Sequence, residues 1–180
     1  MPGAEYNFVM AAMFPADELR ILPYNRVVRD LNGMTTKQFL ERAGEHFILT
    51  GSETAAPSEH GEILTYVDGH WYDLRFKADH MRHRDPIHNL DVSILQDFLL
   101  DPVLGIADPT VSDRIEFISG ARGTSELERL VNEGDAAAAF SLFPTRIDDM
   151  LVVSDLGETM PPKSTWFEPK LKDGLLVHEI

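Results

Sequence analysis

Near the C-terminal end of the sequence, one short stretch combines a fixed backbone with groups that bind anions. Pro161 and Pro162 are followed at once by Lys163, Ser164 and Thr165. The proline rings restrict the backbone, while one ammonium group and two hydroxyls can donate hydrogen bonds to a phosphate or carboxylate. The pattern therefore indicates an anion-binding loop. The alternative interpretation is a rigid turn entering an edge strand, with both hydroxyls bonded to nearby backbone.

A second cation suited to such a site is Arg26, which ends an apolar segment that starts at Leu22. A guanidinium buried there needs a carboxylate or a ligand as its partner. The functional interpretation makes Arg26 a ligand-binding residue and requires it to meet Lys163 across one cleft. In the alternative, Arg26 pairs at the surface with one of the chain's 30 acidic residues.

The histidines raise the question of a metal site, because three of them lie close together: His80, His83 and His88. On a helix, His80 and His83 would share a face and bind one ion with Asp85 or Asp91. Neighbouring arginines disfavour a bound cation, and a proline at position 86 disfavours helix at residue 85. A polar connector is therefore the favoured interpretation, and a metal site at His80, His83 and Asp91 is the alternative.

The composition restricts the functions that these residues can serve. The chain has 180 residues, 16 basic and 30 acidic side chains, a net charge of −14 and no cysteine. So acidic a chain repels nucleic-acid phosphates, and we expect no nucleic-acid partner. The absence of cysteine excludes disulfides and thiolate metal sites. With no apolar run of membrane-spanning length and no secretory signal, we expect a cytoplasmic protein without a membrane partner.

Three motifs of large enzyme classes are missing from the sequence. It contains no glycine-rich phosphate loop, no Gly-x-Ser-x-Gly elbow and no His-Glu-x-x-His. We therefore identify no catalytic residue and no cofactor, and we expect the chain to be inactive as an enzyme by itself.

Hydrophobic spacing and turn signals predict the elements that position these residues. The apolar run from Tyr6 to Phe14 predicts a strand covered on both faces, and a strand so close to the start leads us to expect further chain upstream. The spacing also predicts a helix over 36–46, a strand over 47–50 and an exposed loop over 51–61. The pair Asp68-Gly69 predicts a type I′ turn in a hairpin over 63–76.

In the second half of the chain, we expect Asp91 to cap a buried helix that Pro102 bends or ends. The pattern predicts strands over 115–118, 136–143, 164–167 and 175–178, and helices over 125–133 and from Pro144 onward. For 136–143 the four alanines leave helix as the alternative. A capping box at Ser125 and Glu128 starts the helix over 125–133. We predict one compact α+β domain over 1–180, with a mostly antiparallel or mixed sheet and about four helices; mixed α/β is the alternative.

Several stretches resemble the family called domain of unknown function 1015. The resemblance is carried by residues 143–145, 160–170 and 174–175, and by Leu22-Pro23, Arg26-Val27-Val28 and Leu90–Leu95. From residue 139 onward the chain resembles the family's C-terminal end. The resemblance covers nearly the whole chain.

This resemblance implies that the chain corresponds to the family's C-terminal region. The family's upstream half carries an Asp-Gly-His-His-Arg motif and is similar to the nucleotide-binding fold of ParB, sulfiredoxin and free-serine kinases. We expect this half to be absent, because Asp68-Gly69-His70-Trp71 lies in a hairpin and lacks the second histidine and the arginine. The chain also has Tyr24-Asn25 where the family has Thr-His, so if that histidine acts in catalysis or metal binding, this chain has lost that role.

Three hypotheses follow from the sequence. In the first, Arg26, Lys163, Ser164 and Thr165 help to hold a small anion for phosphoryl-transfer chemistry that an upstream domain completes. In the second, the chain is a structural module that forms a homo-oligomer through an exposed strand or apolar surface. In the third, His80, His83 and Asp91 serve a metal-dependent hydrolase or transferase.

Overall fold

The computed structural model describes residues 3, 5–15, 17–77, 85–172, 174–175 and 177–178. Its strands are β1 (Arg20–Leu22), β2 (Tyr24–Val28), β3 (Phe47–Ser52), β4 (Glu62–Val67), β5 (His70–Phe76), β6 (Ile115–Ser119), β7 (Ala138–Leu142) and β8 (Trp166–Glu168). Six of them form one sheet in the order β3-β5-β4-β7-β2-β6, with all neighbours antiparallel. The short strands β1 and β8 pair separately. The predicted α+β class is confirmed.

The α-helices within the described residues are α1 (Thr36–Ala43), α2 (Asp91–Leu95), α3 (Thr124–Asn132) and α4 (Ile147–Asp155). Thr35 and Gln38 form the predicted capping box of α1, each side chain accepting a hydrogen bond from the other residue's backbone. Helix α2 continues directly as one turn of π-helix over Gln96–Leu100. No helix within the described residues is long and apolar enough to cross a bilayer.

The sheet has a hydrophobic cluster on each face, which makes the fold three layers deep. On one face, α1 and α2 cover side chains such as Val28, Ile63 and Phe140, none more than 1% exposed. On the other face, α3 places Leu127 over a smaller cluster that includes Trp71. Alternation along β2 sends Val27 to the second cluster and Val28 to the first. Side chains of β2 that point the same way as Val28 therefore face α2.

The hairpin prediction is confirmed. Strands β4 and β5 pair from Val67 and His70 outward. Asp68 and Gly69 both have positive φ, 50° and 78°, as a type I′ turn requires. His70 lies beside the turn, where its Nδ1 is 2.8 Å from the carbonyl oxygen of Asp68.

The predicted strand from Tyr6 to Phe14 is wrong. Glu5–Asn7 is a single 3-10 turn, and residues 8–15 have neither helix nor strand. Every described residue in 5–15 is exposed, with Val9 at 86% and Met13 at 97%. The apolar pattern is that of a buried strand, but no strand of the sheet pairs with it. The strand predicted over 175–178 is also missing from its described residues, and Asp173, in its predicted turn, lies outside them.

Three smaller predictions differ from the structure at element ends. Strand β3 runs through Gly51 and Ser52, two residues assigned to the loop, because they pair with β5. Asp91 is the first residue of α2 rather than its cap, since its Oδ1 accepts a hydrogen bond from the Gly61 backbone N–H instead. Helix α3 starts at Thr124 without a side-chain cap, so Ser125 forms no capping box.

Candidate anion-binding site

Strand β2 places Arg26 in the interior of the fold. β2 lies between β7 and β6, and Arg26 is opposite Phe140 on one side and Phe117 on the other. Its side chain points to the same face as Val28, towards α2. Only 3% of Arg26 is exposed. The expectation that the apolar segment buries this residue agrees with its position.

The guanidinium of Arg26 has carbonyl groups and an aromatic ring as neighbours. Its Nη1 donates to the Tyr24 carbonyl oxygen at 2.7 Å, and its Nη2 donates to the Lys163 carbonyl oxygen at a long 3.4 Å. Its Cζ lies 5.4 Å from the centre of the Phe117 ring. None of the described carboxylates lies within ion-pair distance of Arg26. Burial alone lowers the pKa of Arg26 from 12.5 to about 10, so the side chain is still protonated at neutral pH.

Arg26 lines a cavity of about 250 Å³ between the sheet and α2. The other lining residues come from four segments of the chain: Ile87, His88, Val92, Ser93, Gln96, Asp97, Asp108, Pro109, Thr110, Pro161 and Pro162. The two prolines singled out in the sequence therefore form one wall of the cavity that holds Arg26.

Some polar groups at the cavity already form hydrogen bonds with other residues, and others do not. Gln96 Nε2 donates to the carbonyl oxygens of Ile106 and Ala107, which ties the π-helical turn to the following loop. Asp108 Oδ1 accepts hydrogen bonds from the backbone and hydroxyl of Thr110. The buried Ser93 hydroxyl has no hydrogen-bond partner among the described residues and is available to a ligand.

Lys163 approaches Arg26 through its backbone rather than its charge. Its φ is 54°, and its carbonyl oxygen accepts the long hydrogen bond from Arg26. Its ammonium nitrogen lies 5.5 Å from the centre of the Tyr24 ring and does not line the cavity. The structure therefore brings the loop of Lys163 to Arg26 but does not direct both positive charges into one cavity.

Ser164 and Thr165 lie behind the cavity wall. Ser164 is 4% exposed, and its carbonyl oxygen accepts a hydrogen bond from the Thr145 hydroxyl at 2.7 Å. Thr165 is half-buried. Next to them, the Trp166 ring packs edge-on against Tyr24 at 5.2 Å, which fixes the loop against β2. A direct role of Ser164 and Thr165 in ligand binding stays a prediction.

The metal hypothesis stays a prediction, because two of its three residues, His80 and His83, lie outside the described residues. Among the residues that are described, no group of three or more His, Asp or Glu side chains can hold a metal ion. Asp91 is 6% exposed, and its Oδ1 lies 3.6 Å from His60 Nε2. Burial and the charge of Asp149 raise the pKa of Asp91 from 3.8 to about 6, against the opposing effect of His60.

Ser93, Gln96 and Thr110 carry no sequence pattern that includes them in the site. One signal points to Ser93, because it is a small polar residue between the buried apolar residues Val92 and Ile94 of α2. His88 lies near the proposed metal ligands in the sequence, but no spacing signal places it beside Arg26.

Comparison with solved structures shows where the fold recurs. A free serine kinase in complex with AMP matches with a TM-score of 0.51 and 14% identity, over 84% of this chain and 55% of the kinase chain. A conserved hypothetical protein from Pyrococcus furiosus matches with a TM-score of 0.49 and 10% identity, over 84% and 56%. At 14% identity, the likeness to the kinase concerns the fold alone. The chain thus spans just over half the length of these proteins.

A search of curated proteins found no match. A family model described as "Protein of unknown function (DUF1015)" matches residues 1–93. This match gives no support to the placement of residues 139–180 at the family's C-terminal end, which stays a prediction. The residues matched by the family model include Arg26, His88 and Ser93 of the cavity. Because the matched residues make up more than half of the chain, the protein belongs to the DUF1015 family.

Proposed function

We propose that the cavity beside Arg26 binds a small molecule through its phosphate or carboxylate group. The observation that carries this proposal is the buried guanidinium, which has no carboxylate partner among the described residues. An unpaired charge is costly to bury, and proteins rarely keep one away from a counter-charge. A bound anion supplies the missing counter-charge.

The hydrogen-bonding capacity of Arg26 supports the same proposal. An arginine side chain has five N–H donors. Two bonds to carbonyl oxygens are present, and the bond to Lys163 is too long to be strong. The remaining donors match the planar oxygen pairs of a carboxylate or phosphate.

Two carboxylates, those of Asp97 and Asp108, also line the cavity and oppose an anion. Both residues are exposed at its mouth, whereas Arg26 is 3% exposed at its inner end. Charges in water are screened far more strongly than charges in the interior. The attraction from Arg26 therefore outweighs the repulsion for an anionic group at the inner end.

Phosphate-bearing molecules are the first class of ligand to test. A free serine kinase of similar fold was solved with AMP, and the sequence resemblance points to phosphoryl-transfer chemistry. We propose that a further domain supplies the rest of that chemistry, so that residues 1–180 bind the ligand without turnover.

Isothermal titration calorimetry with inorganic phosphate, O-phosphoserine and AMP tests the proposal. We expect saturable binding of at least one phosphate compound to the wild type and no binding to Arg26→Met. The matched control is Arg146→Met, because Arg146 is exposed and pairs with Asp148 at the surface. Its affinity should equal that of the wild type. Binding that survives Arg26→Met, or no binding of any probe to the wild type, would overturn the proposal.

A second variant separates the role of Lys163 from that of Arg26. The ammonium group of Lys163 is exposed and lies over Tyr24, so its charge acts on the ligand only through solvent. We expect Lys163→Ala to weaken binding about 5-fold at most, the size of a solvent-exposed ion-pair effect. A loss as large as that of Arg26→Met would place Lys163 in direct contact with the ligand.

One observation favours self-association as a second candidate function. The N-terminal segment 5–15 exposes large apolar side chains, listed here with their exposed fractions: Tyr6 65%, Phe8 60%, Val9 86%, Met10 56%, Met13 97% and Phe14 40%. Exposed apolar patches of this kind are typical of protein contact surfaces. Light scattering across a range of concentrations tests this function, and a monomer at all of them would rule it out.

A further inference from the structure

His88 and Asp85 form a hydrogen-bonded pair at the outer wall of the Arg26 cavity. His88 Nδ1 lies 2.9 Å from Asp85 Oδ2, and the His88 backbone N–H donates to Asp85 Oδ1 at 3.0 Å. His88 lines the cavity, and both side chains are about half exposed. The pair with Asp85 therefore holds the His88 side chain from one side at the cavity wall.

The carboxylate determines which ring nitrogen is free. These hydrogen bonds lower the pKa of Asp85, so its carboxylate is ionised and can only accept. A neutral imidazole beside such a group carries its proton on the nitrogen that faces it, here Nδ1. Nε2 then has a lone pair, and it has no hydrogen-bond partner among the described residues. The wall thus offers one oriented acceptor.

The cavity mouth presents a second acceptor. The Asp108 carboxylate lines it, and among the described residues only its Oδ1 accepts hydrogen bonds, from Thr110, so a plain inorganic anion meets attraction at Arg26 and repulsion at the mouth. A ligand that carries a hydrogen-bond donor at its other end avoids this conflict. Arg26 and the mouth therefore select different ends of one molecule.

The cavity volume limits the size of that molecule. A cavity of about 250 Å³ is at the small end of the range of small-molecule sites, which is about 300–1,000 Å³. A small phosphate ester is therefore the size of ligand to test first.

We infer that the ligand of this cavity is a small anion that also carries a hydroxyl group, and that His88 accepts the hydrogen bond from this hydroxyl while Arg26 binds the anionic group. The inference rests on the proposed function and adds the class of ligand to it. His88 is a specificity-determining residue for this ligand. Asp85 is a positioning residue that acts through His88.

Two probes that differ by one hydroxyl group test the inference: propyl phosphate and 3-hydroxypropyl phosphate. Calorimetric titrations of both probes at one pH make the added hydroxyl group the only difference between them. We expect the wild type to bind 3-hydroxypropyl phosphate about 2- to 10-fold more tightly, the worth of one net hydrogen bond. His88→Phe should bind both probes with the wild-type affinity for propyl phosphate.

Two further variants test whether the preference for the hydroxyl depends on how the His88 ring is protonated and oriented rather than on the size of its side chain. In Asp85→Asn the amide can donate to Nδ1, which shifts the ring proton to Nε2 and removes the acceptor, so the preference for the hydroxyl should disappear while propyl phosphate binding is retained. His70→Phe is the matched control, because His70 also has its Nδ1 in contact with a neighbouring oxygen but lies at the hairpin turn. It should keep the full preference.

The outcomes separate the inference from the proposed function. If the wild type binds neither these probes nor phosphate, O-phosphoserine or AMP, the proposed function fails; if it binds one of those three compounds but neither propyl probe, the inference alone is overturned. If it binds both with equal affinity, or if His88→Phe retains the preference, anion binding stands and the inference about the hydroxyl is overturned. Circular dichroism of each variant establishes that it is folded.

Discussion

The replacement Arg26→Met separates a ligand-binding arginine from a structural one. Methionine keeps the length of the apolar stem and fills irregular space, but it removes the charge. If an unseen ionic partner held Arg26 in place, its removal would leave that partner buried and alone, at a cost of about 3–5 kcal/mol. If the anion is the partner, the replacement leaves no charge buried and unpaired in the ligand-free protein, so it does not lower the free energy of unfolding by that amount.

The expected change in stability follows from the surroundings of Arg26. Burial lowers the pKa of Arg26 from 12.5 to about 10, which corresponds to about 3 kcal/mol of destabilisation of the folded state by the charge. Removing the side chain loses the hydrogen bond to Tyr24, worth about 1 kcal/mol, and the contact with the Phe117 ring, worth about 1 kcal/mol. Without ligand, we therefore expect Arg26→Met to be more stable than the wild type by about 1 kcal/mol.

Urea and thermal unfolding followed by circular dichroism measure this difference. A gain of about 1 kcal/mol raises the Tm of a chain of this length by about 2–4 °C. A ligand at 100 times its Kd should stabilise the wild type by about 2.7 kcal/mol and leave Arg26→Met unchanged, which reverses the order of the two proteins. A loss of about 3 kcal/mol or more in the ligand-free variant would refute the reasoning, because it would reveal a structural ion pair.

Other variants test the rest of the structure. Because burial raises the pKa of Asp91, this residue should contribute a loss of stability of up to about 3 kcal/mol as the pH rises from about 4 to about 6, measured as the difference in free energy of unfolding between the wild type and Asp91→Asn in urea at each pH; a difference that does not change with pH would contradict the raised pKa. Gly120→Ala places a Cβ 2.6 Å from the Pro23 ring and 2.8 Å from the Pro23 carbonyl oxygen, so it should lower the free energy of unfolding by about 1–3 kcal/mol. In the control Gly51→Ala the new Cβ meets open space, so the free energy of unfolding should change by less than about 0.5 kcal/mol. Val9→Ser should also change the free energy of unfolding by less than about 0.5 kcal/mol, because Val9 is 86% exposed. A decrease of about 2 kcal/mol would instead indicate that Val9 is buried, as the sequence prediction of a strand requires.

Predictions from the sequence succeed where the signal is local. The turn at Asp68-Gly69 depends on the φ preference of two adjacent residues. The start of α1 depends on hydrogen bonds between Thr35 and Gln38, three positions apart. The apolar run from residue 6 to 14 carries an equally clear pattern, but whether a strand forms depends on a partner strand, and the run itself does not specify one.

The candidate site, like the fold, could be predicted from the sequence only where the signal is local. The burial of Arg26 and the rigid loop at Pro161-Pro162 follow from residue types, and both occur at one cavity. The direction of the Lys163 ammonium group depends on its left-handed backbone conformation, which is unusual for a residue with a side chain. The contributions of Ser93 and His88 depend on how α2 packs over the sheet. Such packing brings together segments whose contacts cannot be predicted from the spacing of residues in the sequence.

The binding of an anionic group by Arg26 is tested most directly by NMR of the arginine side chains. We expect the Nε–Hε resonance of Arg26 to shift in a saturable manner as 3-hydroxypropyl phosphate is added, with the exposed Arg146 shifting little. A Kd from this shift should agree with calorimetry. An unchanged Arg26 resonance at saturating ligand, or equal shifts for Arg26 and Arg146, would contradict a ligand site in this cavity.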